Sequence, residues 1–395
     1  MNIAYVSNLI SRKRFSELFS FGTSTPGQQV QKYNRLLAQG LSMQPETLVT
    51  NVSRAPVSRA NTSKVFIKSR KETADGLNFI ELGIINLPVI KDFRVLLGAG
   101  RAVLSGNYDA VICDLLSLSA SYGAIKAAKK LSKKGKKVPV VGIITDLPQF
   151  LDRKTGAKPF LKLFGKCTEL CDAFIIMTGQ MRLVTDGKPC CVIEGMCDIR
   201  DKAEFSADAE KLPGRVCVYA GGLESAYNVD KLCRAFANIS ETVPELSESE
   251  LRLYGNGALR EFIINFSKDH PSVKYMGTVP NGEVLSAEKK AFLLINPRGP
   301  EGEFTKYSFP SKNLEYMASG TPMLAYMLPG IPENYKGLFL EFNGDFENSL
   351  KEALLTDKKT LEFFGKKART FVFEEKNNFQ RAGDVLKMLQ ELKNE

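Results

Sequence analysis

The chain has 395 residues, more than one ordinary hydrophobic core accommodates, so two domains of roughly 150–200 residues each are expected. Charged residues make up 25% and hydrophobic residues 44% of the sequence, which argues against a disordered or fibrous chain. Eight cysteines without paired CxxC spacing and a single histidine, His270, argue against a disulfide scaffold, a zinc site and histidine-based nucleophilic catalysis.

The N-terminus begins with a short apolar run, and a basic cluster follows it at residues 11–14. That order is the reverse of a secretory signal. No uninterrupted apolar stretch approaches the roughly 18–20 residues that a membrane helix needs. The sequence therefore predicts a cytoplasmic protein whose first element is a strand.

The N-terminal half alternates short apolar or β-branched runs with helical patterns. Strands are predicted at 2–6, 45–50, 63–67, 77–81, 109–113, 138–144, 173–177 and 190–194, and helices at 28–39, 91–104 and 119–134. Gly40 is expected to cap the first of these helices. Such alternation is typical of βαβ units in a largely parallel sheet, hence of the α/β class.

Only this half of the chain has a net positive charge. Residues 1–200 carry 29 Lys and Arg against 15 Asp and Glu, whereas residues 201–395 are net −4. Seven lysines between Lys126 and Lys137 form either a solvated helix face or a surface for anionic phospholipids or a phosphate-bearing acceptor. Because aromatic residues do not interleave with them, we expect no nucleic-acid partner. A peripheral position at the inner face of the membrane is the corresponding location.

The polar segment 198–214 is interpreted as a connection between domains, and alternation restarts after it. Strands are predicted at 215–219, 249–254, 272–276, 291–295, 322–326 and 337–340, and helices at 228–238, 257–268, 312–319 and from 347 onward. The predicted domains are 1–200 and 201–375, followed by a C-terminal helix at 376–395 that packs back toward the first domain. Two doubly wound domains bind ligands at the carboxyl ends of their strands and would face each other across a cleft.

One segment of the second domain concentrates groups suited to a nucleotide diphosphate. A strand ends near Ile295, and the following loop carries Arg298. Pro310 and Ser311 then open a helix whose free amides and dipole favour an anion, with Ser311 as the expected cap. Lys312 lies in the first turn, and Glu315, three residues on, could accept two hydrogen bonds from a ribose diol. A surface helix with a capping serine explains the same residues without a ligand.

These residues resemble a known family. The stretch Asn296-Pro-Arg, followed by Tyr307-Ser-Phe-Pro-Ser-Lys-Asn-Leu-Glu-Tyr-Met-Ala-Ser-Gly-Thr-Pro, is similar to that of GT-B glycosyltransferases of family 4, especially bacterial capsule and exopolysaccharide enzymes. Glycine turns after strands match as well, at 220–222, 254–257 and 275–279, and so does the loop 25–29. The resemblance implies two Rossmann-like domains, with the acceptor bound by the first and the nucleotide sugar by the second.

The resemblance also implies site residues. Arg298, Lys312 and Asp146 are the expected catalytic groups. The expected nucleotide-sugar-binding residues are Gly27, Gly222, Tyr227, Gly255, Asn256, Gly277, Val279, Tyr307, Ser308, Phe309, Pro310, Ser311 and Glu315.

The sequence also departs from the family pattern. The first glutamate of the usual pair falls on Tyr307, the usual phosphate-binding cations fall near Gly222 and Tyr227, and the usual histidine falls on Thr145. Arg298 and Lys312, together with Lys306, would then replace the missing cations.

The function expected from the resemblance is retaining transfer of a sugar from a nucleotide diphosphate sugar, with UDP the usual carrier, to a saccharide, lipid-linked or protein-linked acceptor. A front-face mechanism is implied, in which the leaving diphosphate helps to deprotonate the acceptor. We expect no cofactor and no metal, since no carboxylate-rich metal motif occurs. The alternatives are a non-catalytic GT-B partner subunit or regulator, a nucleotide-sugar epimerase and a basic nucleic-acid-binding protein.

Overall fold

The computed structural model describes residues 1–19, 26–150, 157–202 and 210–394. The described residues divide into two compact units. The first comprises Met1–Met196 with Asn378–Glu395, and the second comprises Cys197–Asn377. Within the interpreted connection 198–214, residues 203–209 lie outside the described residues, as does Thr25 of the loop 25–29.

The first unit is built on an eight-stranded sheet with the order β10-β9-β8-β7-β1-β2-β5-β4 and a separate antiparallel pair, β3 and β6. All neighbours in the large sheet pair in parallel except β4 and β5. The strands are β1 Asn2–Ser7, β2 Leu48–Ser53, β3 Phe66–Ile67, β4 Arg70–Ala74, β5 Leu77–Glu81, β6 Ile84–Ile85, β7 Ala110–Asp114, β8 Val140–Ile144, β9 Ala173–Ile176 and β10 Cys190–Val192. The helices are α1 Arg12–Phe19, α2 Gln28–Ser42, α3 Ile90–Ser105, α4 Leu118–Ser132 and α5 Ala157–Leu170.

The central strands of this sheet are buried on both faces. Every residue of β7, β8 and β9 is buried, because helices cover both sides of a parallel sheet. These continuous apolar runs are why the sequence predicts β7 to β9 within two residues of their ends. The antiparallel strand β4, with the sequence Arg-Lys-Glu-Thr-Ala, was missed because it has no apolar pattern.

The second unit is a six-stranded parallel sheet with the order β13-β12-β11-β14-β15-β16. The strands are β11 Val216–Ala220, β12 Glu250–Tyr254, β13 Val273–Gly277, β14 Leu293–Asn296, β15 Met323–Ala325 and β16 Leu340–Glu341. The helices are α6 Val229–Thr242, α7 Arg260–Asp269, α8 Asn281–Lys290, α9 Ser311–Ser319, α10 Phe346–Leu355 and α11 Lys358–Glu375. This is the strand order of dinucleotide-binding folds, in which the direction of winding reverses between the first and fourth strands.

The last helix, α12 Asn378–Asn394, belongs to the first unit and packs on α2. The structure corrects the expectation that Gly40 caps the first helix, since α2 continues to Ser42. A Cβ at Gly40 would stand 2.1 Å from the carbonyl oxygen of Asn378. The glycine therefore permits a close approach of the two helices rather than a helix end.

Candidate functional site

The candidate site of the second sheet lies between β11 and β14, where the direction of winding reverses. Loops that leave the carboxyl ends of these two strands meet at such a point, and open α/β sheets bind ligands there. The loop after β11 carries Gly222 and Tyr227, and the loop after β14 carries Arg298. Asn228, at the start of α6, donates a side-chain hydrogen bond of 3.2 Å to the carbonyl oxygen of Pro297 and so joins the two loops.

Glycines bring the loops after β11, β12 and β13 together at this edge. The amide of Gly221 donates to the carbonyl of Tyr254 at 3.0 Å, and the amide of Gly255 donates to that of Gly277 at 2.9 Å. Gly255 has a φ of +134°, and a Cβ there would lie 1.9 Å from the carbonyl oxygen of Gly221. Only glycine fits this position, because both the backbone angle and the space exclude a side chain.

Arg298 is held by aromatic rings and one hydroxyl. Its guanidinium carbon lies 5.4 Å from the ring centre of Tyr227 and 5.2 Å from that of Phe304. One terminal nitrogen, Nη2, donates to Ser308 Oγ at 3.0 Å, whereas Nε is buried and has no hydrogen-bond partner among the described residues. Burial lowers the pKa of Arg298, and the hydroxyls of Tyr227 and Tyr219 oppose that shift. A half-buried cation with an unused donor is suited to an anionic oxygen.

The helix α9 begins beside Arg298, and its start differs from the sequence prediction. Pro310 is the capping residue, and Ser311 is the first helical residue rather than the cap. The proline stays in the extended region, at φ −72° and ψ 97°, and has no hydroxyl with which to cap the amides that follow. Gly320, at φ +76°, ends the helix as expected.

Two buried side-chain contacts fix α9 against the strands. Tyr316 OH accepts a hydrogen bond of 2.8 Å from the amide of Ala220 at the end of β11. Asn296, at the end of β14, donates to Asn313 Oδ1 at 2.6 Å. The remaining amide nitrogen of Asn313 is buried without a hydrogen-bond partner among the described residues. The first turn of α9 is thereby held at the switch point, and Asn313 supplies a second unused donor.

Lys312 is part of a three-residue ion cluster. Its ammonium pairs with Glu315 on the next turn, as the spacing predicts, and lies 3.4 Å from Glu288 Oε1 of α8. The Glu288 side chain is fully buried. Burial lowers the pKa of Lys312, but the two carboxylates outweigh that effect and raise it. The lysine therefore remains charged, with its charge balanced inside the protein.

In the first unit, Asp146 follows β8 and lies near a second carboxylate. Asp114, the last residue of the neighbouring strand β7, is fully buried. Burial raises the pKa of Asp114 from its ordinary 3.8 to about 6, although hydrogen bonds from the Leu116 amide and Asn34 oppose the shift. Burial also raises the pKa of Asp146, which accepts a hydrogen bond of 3.1 Å from Thr145 Oγ1.

Three solved structures illustrate how widely this architecture is shared over the whole chain. A sucrose-phosphate synthase from Thermosynechococcus elongatus superposes with a TM-score of 0.64 at 16% identity, covering 100% of this chain and 99% of that one. A trehalose-6-phosphate structure from E. coli, bound with UDP-2-fluoro glucose, superposes with a TM-score of 0.66 at 10% sequence identity, and the match covers 99% of each chain. The UDP-forming alpha,alpha-trehalose-phosphate synthase from Burkholderia xenovorans was solved in complex with glucose-6-phosphate. It superposes with a TM-score of 0.61 at 11% sequence identity, covering 99% of this chain and 100% of that one.

The fold is GT-B. Residues 214–356, most of the second unit, also match the family of glycosyl transferases group 1. A search of curated proteins finds no match. This similarity to the group 1 family lies within the second unit.

The GT-B structure separates the predicted residues into three groups. Those at the switch point of the second domain are Gly222, Tyr227, Arg298, Ser308, Pro310, Ser311, Lys312 and Glu315. Those in the glycine loops beside it are Gly255, Asn256, Gly277 and Val279. Gly27, which precedes α2, and Asp146 lie in the first domain.

Two of the predicted aromatic residues have different environments. Phe309 is buried, and its ring lies 5.4 Å from that of Tyr335, so its side chain belongs to the core and only its backbone remains for a ligand. Tyr307 ends a short 3-10 turn and is partly exposed.

Sequence reasoning missed Phe304, Glu288, Asn313 and Asp114. A polar residue within an apolar pattern was the available signal for Asn313 and Asp114, since buried polar groups require partners. No such pattern surrounds Glu288, which is the only buried residue of α8.

Proposed function

We propose that this chain is a retaining glycosyltransferase that uses a nucleotide diphosphate sugar. The observation that carries the proposal is the position of Arg298, a half-buried cation with an unused Nε donor, at the switch point of a sheet in a group 1 domain. The E. coli structure with the same fold is bound with UDP-2-fluoro glucose, and the Burkholderia enzyme is UDP-forming. UDP is accordingly the carrier that we propose first.

In the proposed reaction the diphosphate gains negative charge as its bond to the sugar breaks. Groups that face the developing charge stabilise the transition state more than the ground state. Arg298 and the first amides of α9 are the groups at hand in the described part of the second domain. Lys312 adds positive charge nearby, although Glu288 and Glu315 oppose it. Since these cations belong to the protein, we propose that transfer proceeds without a metal and without a cofactor.

The remaining parts of the proposal concern the donor sugar's surroundings and the acceptor. Front-face transfer with retention needs no carboxylate nucleophile in the second domain. Two carboxylates of that domain, Glu315 and Glu288, already pair with Lys312. We propose that Glu315 binds the ribose and that Asp146 in the first domain serves the acceptor. The proposed acceptor is a saccharide, or a lipid-linked or protein-linked glycan in surface polysaccharide synthesis, of the bacterial capsule type.

The lysine run of the first domain is proposed as an attraction for anionic headgroups. Lys126, Lys130, Lys133, Lys134 and Lys137 are exposed. The other two have partners: Lys129 pairs with Asp172, and Lys136 donates to Asn107 Oδ1. Five exposed ammonium groups on one helix and the loop after it suffice for a salt-sensitive attraction, each contributing about 1 kcal/mol near an anionic surface.

Thermal shift across a panel of nucleotide sugars tests the donor proposal. A bound donor raises the unfolding temperature, because it stabilises by RT ln(1 + [L]/Kd). We expect one nucleotide class to stand out, followed by release of its nucleoside diphosphate when acceptors are added, with and without a chelator. Donor binding without any turnover across saccharide and lipid-linked acceptors would favour the non-catalytic partner subunit. That alternative is motivated by Tyr227, Tyr307 and Thr145, which stand where the resembled family has charged groups or a histidine.

A further inference from the structure

The helix α3 presents an apolar face to solvent. Four large side chains on it, Ile90, Phe93, Leu97 and Leu104, are 46%, 62%, 39% and 43% exposed. Their spacing follows i, i+3, i+7 and i+14, which places them on one stripe of a helix. The segment that leads into the helix adds Val89, which is 80% exposed. Helices of globular proteins normally turn polar residues to this side.

The opposite face of α3 is already used for packing. Val95, Ala99 and Val103 are fully buried and follow the i, i+4, i+8 spacing of a core stripe. One side of α3 also packs closely on α4. A Cβ at Gly123 of α4 would stand 2.1 Å from the carbonyl oxygen of Leu96 of α3. The helix therefore has two hydrophobic faces: one is buried in the core, and the other, the exposed stripe, faces solvent.

Basic residues border this stripe. Arg94 and Arg101 are exposed, and by helical spacing both lie at its edge. The acid in the first turn, Asp92, accepts a hydrogen bond of 3.0 Å from Ser119 of α4 and lies 3.9 Å from Arg54, which directs it to the packed side. No acidic residue of α3 lies on the stripe. The domain around it is strongly basic, since residues 1–200 carry a net charge of +14.

We propose that α3 lies in the surface of an anionic phospholipid bilayer, with Ile90, Phe93, Leu97 and Leu104 below the headgroups. Apolar side chains bordered by arginines fit both the acyl boundary and the negative headgroups. The helix is about 24 Å long and would lie parallel to the surface. No helix among the described residues is long and apolar enough to cross a membrane. This surface is distinct from the lysine run and does not depend on the donor chemistry.

A second copy of the chain is a poorer partner for the same face. In a symmetric dimer each patch meets its own equivalent, so the arginines of one α3 would approach those of the other. A bilayer instead supplies anionic groups at the level of Arg94 and Arg101. Charge complementarity therefore selects the lipid surface.

The chain contains no tryptophan, which allows a direct test. Phe93→Trp places a single indole on the stripe, and Phe363→Trp places one at a residue of α11 that is similarly exposed, at 60%. Emission of each variant is recorded while vesicles of phosphatidylglycerol and phosphatidylcholine, or of phosphatidylcholine alone, are added. We expect a blue shift only for Phe93→Trp, and only with phosphatidylglycerol.

Three further variants separate the contributions of charge, of apolar contact and of the lysine run to vesicle binding. Arg94→Gln should weaken vesicle binding of the Phe93→Trp protein about fivefold, the effect of one headgroup-facing charge. Leu97→Ser should weaken it about tenfold or more, since an apolar contact is lost. Lys133→Glu with Lys134→Glu measures the lysine run, and an intact blue shift in that variant keeps the two surfaces distinct.

Three results would overturn the proposal. The first is an unshifted emission of folded Phe93→Trp at all vesicle concentrations. The second is an equal shift in Phe363→Trp, which would mean adsorption without a specific face. The third is a blue shift that follows protein concentration without vesicles, which would assign the stripe to self-association.

Discussion

Arg298 is the residue on which the proposed chemistry depends most. Arg298→Ala should lower kcat by about 10²–10³, the scale for losing one transition-state donor, while donor affinity falls less. The measurement is steady-state transfer with a saturating donor. Arg298→Lys is the matched variant, because it keeps the charge and loses the planar group between Tyr227 and Phe304. An unchanged kcat in folded Arg298→Ala would remove this residue from the mechanism.

Lys312 has a structural role that any activity assay must separate from a catalytic one. Lys312→Ala leaves the fully buried carboxylate of Glu288 without its cation, so the free energy of unfolding should fall by about 3–5 kcal/mol. Adding Glu288→Gln should restore part of that loss. Urea denaturation of the single and double variants measures both effects. Equal unfolding midpoints for all of them would show that the ion cluster contributes nothing to stability.

Asp114 makes stability depend on pH in a predictable direction. Its pKa in the folded protein is raised to about 6, so the protonated form is favoured and its contribution to stability is lost as pH rises from 3.8 through 6. Asp114→Asn mimics the protonated acid. The unfolding free energy of the variant relative to the natural chain should therefore increase by about 3 kcal/mol between about pH 4 and pH 8. Parallel pH profiles would contradict this, and Asp269→Asn at an exposed helix end provides the baseline.

At the residue scale the sequence indicates which charged residues belong to the candidate site, but it indicates a contact partner only when that partner is close in the chain. The pairing of Lys312 with Glu315 follows from the spacing of three residues within one helix. The third member, Glu288, comes from another helix, and no local pattern indicates it. Similarly, the planar contacts of Arg298 join loops that are far apart in the chain.

At the scale of elements, we expect the glycine loops to be the most sensitive part of the proposed donor site. Gly255→Ala should lower the free energy of unfolding by more than about 2 kcal/mol, because φ is +134° and the methyl group would overlap the carbonyl of Gly221. Donor affinity should fall as well. Gly282→Ala in α8, where a Cβ meets nothing within 4 Å, should be neutral or stabilise by up to about 1 kcal/mol. A stable Gly255→Ala with native donor affinity would contradict the role given to these loops.

The predictability of elements follows the strength of their patterns. Buried parallel strands such as β7 and β8 were predicted nearly to the residue, because their apolar runs are continuous. The helix α8 was missed, since only Glu288 among its residues is buried and no apolar stripe marks it. The start of α9 was displaced by one residue, from Ser311 to Pro310 as the cap, because residue types alone favour a serine there.

For the whole molecule, alternation of strands and helices sufficed to predict two doubly wound units. The GT-B class was predicted from the resemblance of the motifs to a known family. The alternation could not give the antiparallel strand β4 or the long-range contact between Gly40 and Asn378. The exposure of the apolar stripe of α3 could not be predicted either. Apolar residues in a helical pattern indicate a core face, and only the structure shows which face of the helix is covered.

Calorimetric titration with nucleoside diphosphates tests the central claim, a donor site at the switch point of the second domain. UDP, or else GDP or ADP, should bind one to one, and Arg298→Ala should weaken that binding by about 1–3 kcal/mol. Arg260→Ala, an exposed arginine of α7 that pairs with its neighbour Glu261, should bind as the natural chain does. Absence of binding by every nucleoside diphosphate, or equal affinity in folded Arg298→Ala, would contradict the assignment of this site.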